Sequence, residues 1–245
     1  MGIHWISAEA KTLHDYFVSI FYTLAVILLL LGIITEYFKL PLGGTPGYSQ
    51  LVGRALIAGI LLAAYPEISN TISAVADAIA ERIGSLNSIH QVLESAGAAV
   101  ESQTKSWTSL TDSLLALVSY GAYAILYVTI FFFDAAIVYC LVLCYVFSPL
   151  MIAFYILPQT AGMTAGLFRT ICEIASWKIV WSVLGTLLWS TALNNFKNGG
   201  EGNFVTMLAL TLMLAFSIML TPLVVKSLIS GAVAGIAAQK SRGKR

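Results

Sequence analysis

The sequence predicts an all-α, polytopic transmembrane protein, and three observations carry that prediction. Hydrophobic residues make up 58% of the 245-residue chain and charged residues only 10%, whereas soluble domains carry about 25% charged residues. Mean hydropathy is +0.86. One run, Leu114 to Pro158, reads LLALVSYGAYAILYVTIFFFDAAIVYCLVLCYVFSPLMIAFYILP and holds a single ionisable carboxylate, Asp134. A helix apolar on all sides has no water-facing stripe, so lipid or other helices must surround it.

That run sets the span count. As one helix it would measure about 66 Å, roughly twice the ~30 Å hydrocarbon core of a bilayer. It therefore holds two spans or one overlong helix. A hairpin would have to turn at Phe131, Phe132, Phe133, Asp134, Ala135 and Ala136, where no Gly, Pro or Asn supplies turn chemistry. The first breaker is Pro149, with Pro158 nine residues on; each removes a backbone donor. One long helix from about Leu114 to Phe147, followed by a broken segment, is therefore expected. This gives five spans, with six as the alternative.

The first span is Phe17 to Thr35, apolar throughout, with Tyr16, Tyr22, Tyr37 and Phe38 as interface aromatics. KLPLGGTPG, Lys39 to Gly47, suits a tight connection. Ala55 to Tyr65 is too short to cross alone. It must borrow residues from Leu51 onward or continue past a kink at Pro66. Next, Ile68, Ile72, Val75, Ile79, Ile83, Leu86 and Leu93 recur three or four apart among Asp77, Glu81, Arg82 and Glu94. That is an amphipathic helix, its face free to pack on its own subunit, on another subunit or on a membrane surface. Ser95 to Asp112, rich in Ser, Ala and Thr, reads as a connector.

Beyond the central run, GMTAG at Gly162 to Gly166 has the small-xxx-small spacing that lets helix backbones approach closely. A span of about Ile174 to Leu193 carries Trp177, Trp181 and Trp189, and Asn194 to Asn203 is a turn. The last span is Phe204 to Val225, followed by Lys226, GAVAG at Gly231 to Gly235 and the basic KSRGKR. Four segments result: 1–66 with two spans, an acidic amphipathic loop at 67–113, a three-span region at 114–225 and a basic tail at 226–245.

Lys226, Lys240, Arg242, Lys244 and Arg245 place the C-terminus in the cytoplasm by the positive-inside rule. Five spans then put the N-terminus outside, Lys39 and Arg54 inside, and the amphipathic loop outside. Lys and Arg divide nine inside to four outside with five spans, and ten to three with six. Lys39 and Arg54 lie beside span ends and weigh more than Arg82 and Lys105 in a long loop. Met1 to Asp15 lacks the basic and short apolar regions of a cleavable signal, so the first span is expected to act as the targeting signal.

Few residues suggest chemistry. Cys140, Cys144 and Cys172 fall inside predicted helices and read as packing residues. His4, His14 and His90 lie outside the apolar runs without metal-ligand spacing. No P-loop, intramembrane protease signature or Ser/His/Asp set occurs. No enzyme activity, cofactor or metal is therefore expected. Asp134 is the residue most out of place, since a carboxylate at the bilayer centre costs about 3 kcal/mol. It reads as a conduit or ion-coupling group, or as a carboxyl bonded to a neighbouring helix or carried outside the bilayer. Arg169 and Glu173, at i and i+4, read as an ion pair at the end of a span, and Lys178 as a snorkelling anchor, with a translocation role as the alternative for all three.

At Phe147, Pro149, Leu150, Ala153, Phe154 and Pro158, followed by Trp177 and Trp181, the chain resembles the TrbL-like polytopic inner-membrane subunit of bacterial type IV secretion systems. The Gly/Ala-rich Leu228 to Ala238 is also similar, and the resemblance is strongest over residues 114 to 238. It implies a multi-pass protein of the bacterial inner membrane with an external N-terminus, five spans and a cytoplasmic C-terminus. Copies would form a homo-oligomeric ring, for which the resemblance suggests a pentamer. The ring would pass DNA or protein outward and help assemble the pilus. Implied partners are further copies, the machine's scaffold proteins, ATPases and pilins, the surrounding lipid, and the DNA or protein in transit. Pro149, Pro158, Asp134, Arg169, Glu173 and Lys178 are the candidate translocation or packing residues, and Gly162, Gly166, Gly231 and Gly235 the candidate oligomer-packing ones. The alternatives are a small-solute or ion transporter subunit, with Asp134 and Glu173 as coupling groups, and a pore-forming lysis or toxin protein. The two halves show none of the internal repetition common in transporters.

Overall fold

A computed structural model describes residues 7–42, 44–84, 110–197 and 201–242. Every described element is helical: α1 (Ser7–Tyr37), a 3-10 turn (Leu40–Leu42), α2 (Tyr48–Gly84), α3 (Leu110–Ala153), α4 (Gly162–Lys197) and α5 (Glu201–Arg242). Among the described residues four helical stretches are long and apolar enough to cross a membrane: Ala8–Tyr37, Tyr48–Gly84, Tyr120–Ala153 and Leu208–Ile229. The region expected to form one further span, Ile174 to Leu193, lies on α4, and its side chains beyond Leu187 are outside the described residues.

Three prolines are carried inside helices, and of these only Pro149 was expected to break one. Pro66, Pro149 and Pro222 all lie inside helices, α2, α3 and α5 respectively. The expected amphipathic helix is not separate as far as Gly84: Ile68 to Gly84 continues α2. Its remainder, and the connector up to residue 109, lie outside the described residues. α3 likewise passes Pro149 and ends at Ala153, so the break expected after Phe147 starts at Phe154. The reason is local. Pro149 offers no amide to the Tyr145 carbonyl four residues earlier. That carbonyl instead accepts from Ser148 Oγ at 2.8 Å and from His14 Nδ1 at 2.9 Å. With the orphaned acceptor satisfied, the helix can continue.

The chain divides into two compact units. The first comprises residues 1–73 and 138–172, with α1, most of α2, the end of α3 and the start of α4. In it α1 and α2 form a hairpin. Glu36, only 7% exposed, accepts from the Gly47 amide at 2.7 Å through Oε2 and pairs with Lys39 through Oε1. Gly47 in turn accepts from the Leu51 amide and so opens α2. One turn back along α1, the missing side chain of Gly32 admits Leu51, whose Cδ1 would stand 2.5 Å from a Cβ built there. Phe21, Leu28, Leu51, Ala58, Leu62, Tyr65, Ile152, Ala153, Ile156, Leu167 and Ile171 form the buried core of this unit.

The second unit comprises residues 74–137 and 173–245. Here the end of α2 runs parallel to α4 in steady register. Lys178 Nζ meets Asp77 Oδ1 at 2.6 Å, Ser182 Oγ donates to the Ala80 carbonyl at 2.6 Å, and Thr186 Oγ1 donates to that of Ile83 at 3.3 Å. Trp181, buried, meets the Phe133 ring edge-on with centroids 5.7 Å apart. Leu126, Ile137, Ile174, Leu214 and Ile218 are the large side chains that α3, α4 and α5 bury in this unit.

Candidate functional site

The site lies in the first unit, where α3 stops and α4 begins. Between Ala153 and Gly162 the chain makes an eight-residue turn, Phe154–Ala161, between two helices. The end of a helix leaves carbonyls without amide partners, and an apolar core can hold them only if other donors arrive. Here donors come from three elements. Thr164 Oγ1 on α4 donates to the Met151 carbonyl at 2.8 Å. The amides of Tyr155 and Ile156 fold back onto Ile152 and Ala153 at 3.0 and 3.1 Å. Thr160 Oγ1 donates to the Phe154 carbonyl at 2.7 Å, and the Thr160 and Ala161 amides donate to that of Leu157 at 3.2 and 3.1 Å.

The remaining donor is a charged one. Arg54 Nε on α2 donates to the Tyr155 carbonyl at 3.0 Å, and its guanidinium carbon stands 4.7 Å from the centre of the Tyr155 ring. One residue thus fixes both the position and the plane of the guanidinium, by hydrogen bond and by cation–π contact. No other partner reaches its terminal amines among the described residues. Arg54 itself is half-buried. What this arrangement offers chemically is a held cation able to attract an anionic group; no nucleophile or acid–base pair stands beside it among these contacts.

A second tie lies at the other end of the proline-bearing segment. His14 is 6% exposed and stacks on Tyr145, with ring centroids 4.2 Å apart, while its Nδ1 reaches the Tyr145 carbonyl. A carbonyl only accepts, so Nδ1 carries the proton. Phe17 and Phe147 pack next to it with centroids 5.2 Å apart. α1 and the end of α3 therefore run in the same direction, the apolar run of α1 starting level with Phe147.

The residues singled out in the sequence fall in several places. Pro149 is fully buried in α3, and Pro158 is exposed in the turn. Gly162 and Gly166 open α4, and a Cβ at either would meet nothing within 4 Å, so among the described residues no helix makes use of the small-residue spacing. Gly231 and Gly235 lie on α5, where side-chain surroundings are outside the described residues. Arg169 and Glu173 are half-buried on α4. Asp134 is exposed on α3, beside Phe131 and Phe132 at 71% and 64% exposure. Lys178 pairs with Asp77, which makes its anchoring a helix-to-helix contact. Sequence reasoning missed Arg54, Tyr155, Thr160, Thr164 and His14 as bonding residues of the first unit, and, separately, Asp77 as the partner of Lys178. Tyr155, Thr160 and Thr164, in and just after a double-proline segment, were the available signal; nothing local ties Arg54 or His14 to them.

No protein-family model matches the chain, and no curated protein is significantly similar to it.

Proposed function

We propose that the chain is a non-enzymatic channel and scaffold subunit of a bacterial type IV secretion system, helping DNA or protein to cross the inner membrane and the pilus to assemble. It would cross the membrane five times, N-terminus outside and C-terminus in the cytoplasm, and act as a homo-oligomeric ring beside the scaffold proteins, ATPases and pilins of the machine. The observation that supports this reading best is that the proline-bearing part of the resemblance forms a single, heavily bonded feature. Phe147, Pro149, Leu150, Ala153, Phe154 and Pro158 all belong to one feature, the end of α3 and the turn after it, to which His14, Arg54, Thr160 and Thr164 are bonded. Exposure agrees with assembly into a larger object. In the most apolar windows of the four spanning stretches only 11% to 33% is buried, and apolar faces of that extent need lipid or partner helices.

A transporter subunit is the second reading, favoured by exposed Asp134 on an otherwise apolar helix. Purifying the tagged protein in a gentle detergent from its native cell, with mass spectrometry of what accompanies it and sizing of the particle, separates the two. Secretion ATPases, pilins and a multi-subunit particle are expected. A small homo-oligomer alone, active in solute flux after reconstitution, overturns the secretion reading in favour of the transporter.

A further inference from the structure

In the second unit two exposed helix faces carry opposite charges at one level. α3 exposes Tyr120, Tyr127, Phe131 and Asp134. Tyr120, Tyr127 and Asp134 are seven residues apart, about two helical turns each, so they lie along one line of the helix with Phe131 beside it. The end of α2 exposes Val75, Ile79 and Arg82, which are four and three residues apart and so form a single stripe. Contacts within the unit fix the heights. Phe133 meets Trp181 on α4, and α4 keeps step with α2 through Lys178 and Asp77, Ser182 and Ala80, and Thr186 and Ile83. Asp134 therefore stands level with about Ile79. Arg82, three residues further along α2, is about 5 Å from that level, within the reach of its own side chain.

Neither lipid nor water suits the α3 face. Lipid would leave the Asp134 carboxylate without a donor, and no hydrogen bond or ion pair reaches it among the described residues. Water would leave Phe131, with exposed Val128 and Phe132 next to it, as a bare apolar patch. A protein surface that brings apolar side chains and a cation together answers both needs. α5 differs: between Met213 and Val224 it exposes Phe216, Met219, Leu220 and Leu223 and holds no ionisable group, so lipid covers it without cost.

The end of α2 has the complementary chemistry, Val75 and Ile79 for the apolar contact and Arg82 for the charge. A guanidinium has five donors, so Arg82 can take a carboxylate from outside and keep contacts within its own chain. Rotation about an axis along the helices leaves each residue at its height, so a ring of copies brings the two faces together. The faces are different surfaces, and a contact of that kind repeats from copy to copy around a ring.

We infer that the Asp134 face of α3 docks on the end of α2 of a second copy, with Asp134 paired to the second copy's Arg82. This contact deepens the ring proposed above and rests on copies assembling, whatever the ring carries. Secretion partners can be absent with the contact present, and the reverse.

Cross-linking between differently tagged full-length chains in native membranes tests it. Cys140, Cys144 and Cys172 are replaced by alanine in both chains. One then carries Ala135→Cys and the other Ala78→Cys, exposed positions near the level of Trp181. A short bis-maleimide should give a product bearing both tags, and Met219→Cys in place of Ala135→Cys should give none. Asp134→Arg in the Ala135→Cys chain sets two cations against each other and should lower the yield at least about five-fold at equal amounts of protein. Arg82→Asp in the Ala78→Cys chain should lower it likewise, and the two together should restore at least about half of it. Asp134→Asn, a gentler change of the same size, should lower the yield in the same direction. Absence of the mixed product would overturn the contact. So would an equal yield from Met219→Cys, which marks random collision, or an equal yield between two Ala135→Cys chains, which would set α3 against α3. A yield indifferent to the charge substitutions would overturn the pairing of Asp134 with Arg82.

Discussion

His14 Nδ1 lies 2.9 Å from the Tyr145 carbonyl, the acceptor that Pro149 leaves without its helical amide. A histidine on one helix thereby replaces a backbone bond that the sequence of another has removed. Leaving that carbonyl with fewer donors in a buried place costs about 1 to 3 kcal/mol. His14→Ala should therefore lower stability by about that amount, reduced by whatever Ser148 Oγ continues to supply. Pro149→Ala returns an amide to Tyr145, so His14→Ala should cost less in that background. A double-mutant cycle on thermal unfolding in mild detergent measures the difference. Additive losses would mean that the histidine acts through its stacking on the Tyr145 ring alone.

The contact of Gly32 with Leu51 gives the second prediction. A Cβ at residue 32 would stand 2.5 and 2.8 Å from the two methyls of Leu51, which is itself 3% exposed and has little room to withdraw. Gly32→Val should destabilise the α1–α2 hairpin by about 1 to 3 kcal/mol, the usual cost of overpacking. Leu51→Ala in the same chain should recover part of it. Destabilisation that Leu51→Ala deepens would show that the hairpin does not pack through this pair.

Arg54 and Tyr155 supply the third. Arg54→Leu leaves the Tyr155 carbonyl without its donor and should cost about 1 to 3 kcal/mol. Arg54→Lys keeps the charge but loses the planar group that bonds the carbonyl and lies over the ring together. It should recover less than half of the loss. The readout is the unfolding midpoint, together with protease resistance of the segment around Phe154. Full recovery with lysine would reduce the site to a point charge.

Lys178 and Asp77 are a partly exposed pair, 29% and 56%, and such pairs contribute about 0.2 to 1 kcal/mol. Asp77→Lys and Lys178→Asp should each destabilise slightly, and the exchange of both should restore the parent stability. A lysine that only snorkels would show no coupling in that cycle.

The fold class was legible because it rests on bulk quantities, few charges and long apolar runs, which no local packing reverses. The single central helix was legible too, through the missing turn residues around Asp134. The helix ends were not. Pro149 looked like a stop because proline removes a donor, and whether the orphaned acceptor finds another one depends on which helix passes beside it. His14 is 131 residues from Tyr145 in the chain, and no periodicity connects them. For the same reason Arg54 read as a charge at the start of a span. Its bond to the Tyr155 carbonyl, 101 residues on, is a contact between helices that composition does not record.

Asp134 carries the last prediction. Its carboxylate is exposed next to Phe131 and Phe132 on α3, and no hydrogen bond or ion pair involves it among the described residues. Among the described residues, then, nothing depends on it, and Asp134→Leu should leave the unfolding midpoint of the isolated protein unchanged or slightly raised. In the secretion assembly proposed above, the same carboxylate would have to meet water or a partner's donor, because against lipid it would cost about 3 kcal/mol. Substrate transfer in the native cell should therefore fall sharply with Asp134→Leu and much less with Asp134→Glu, at equal amounts of protein in the membrane. The two measurements divide the roles: lost transfer with unchanged stability assigns Asp134 to the passage or to the contact between copies. Transfer that survives Asp134→Leu would leave the residue as a tolerated surface charge, and α3 would then offer its partners an apolar face alone.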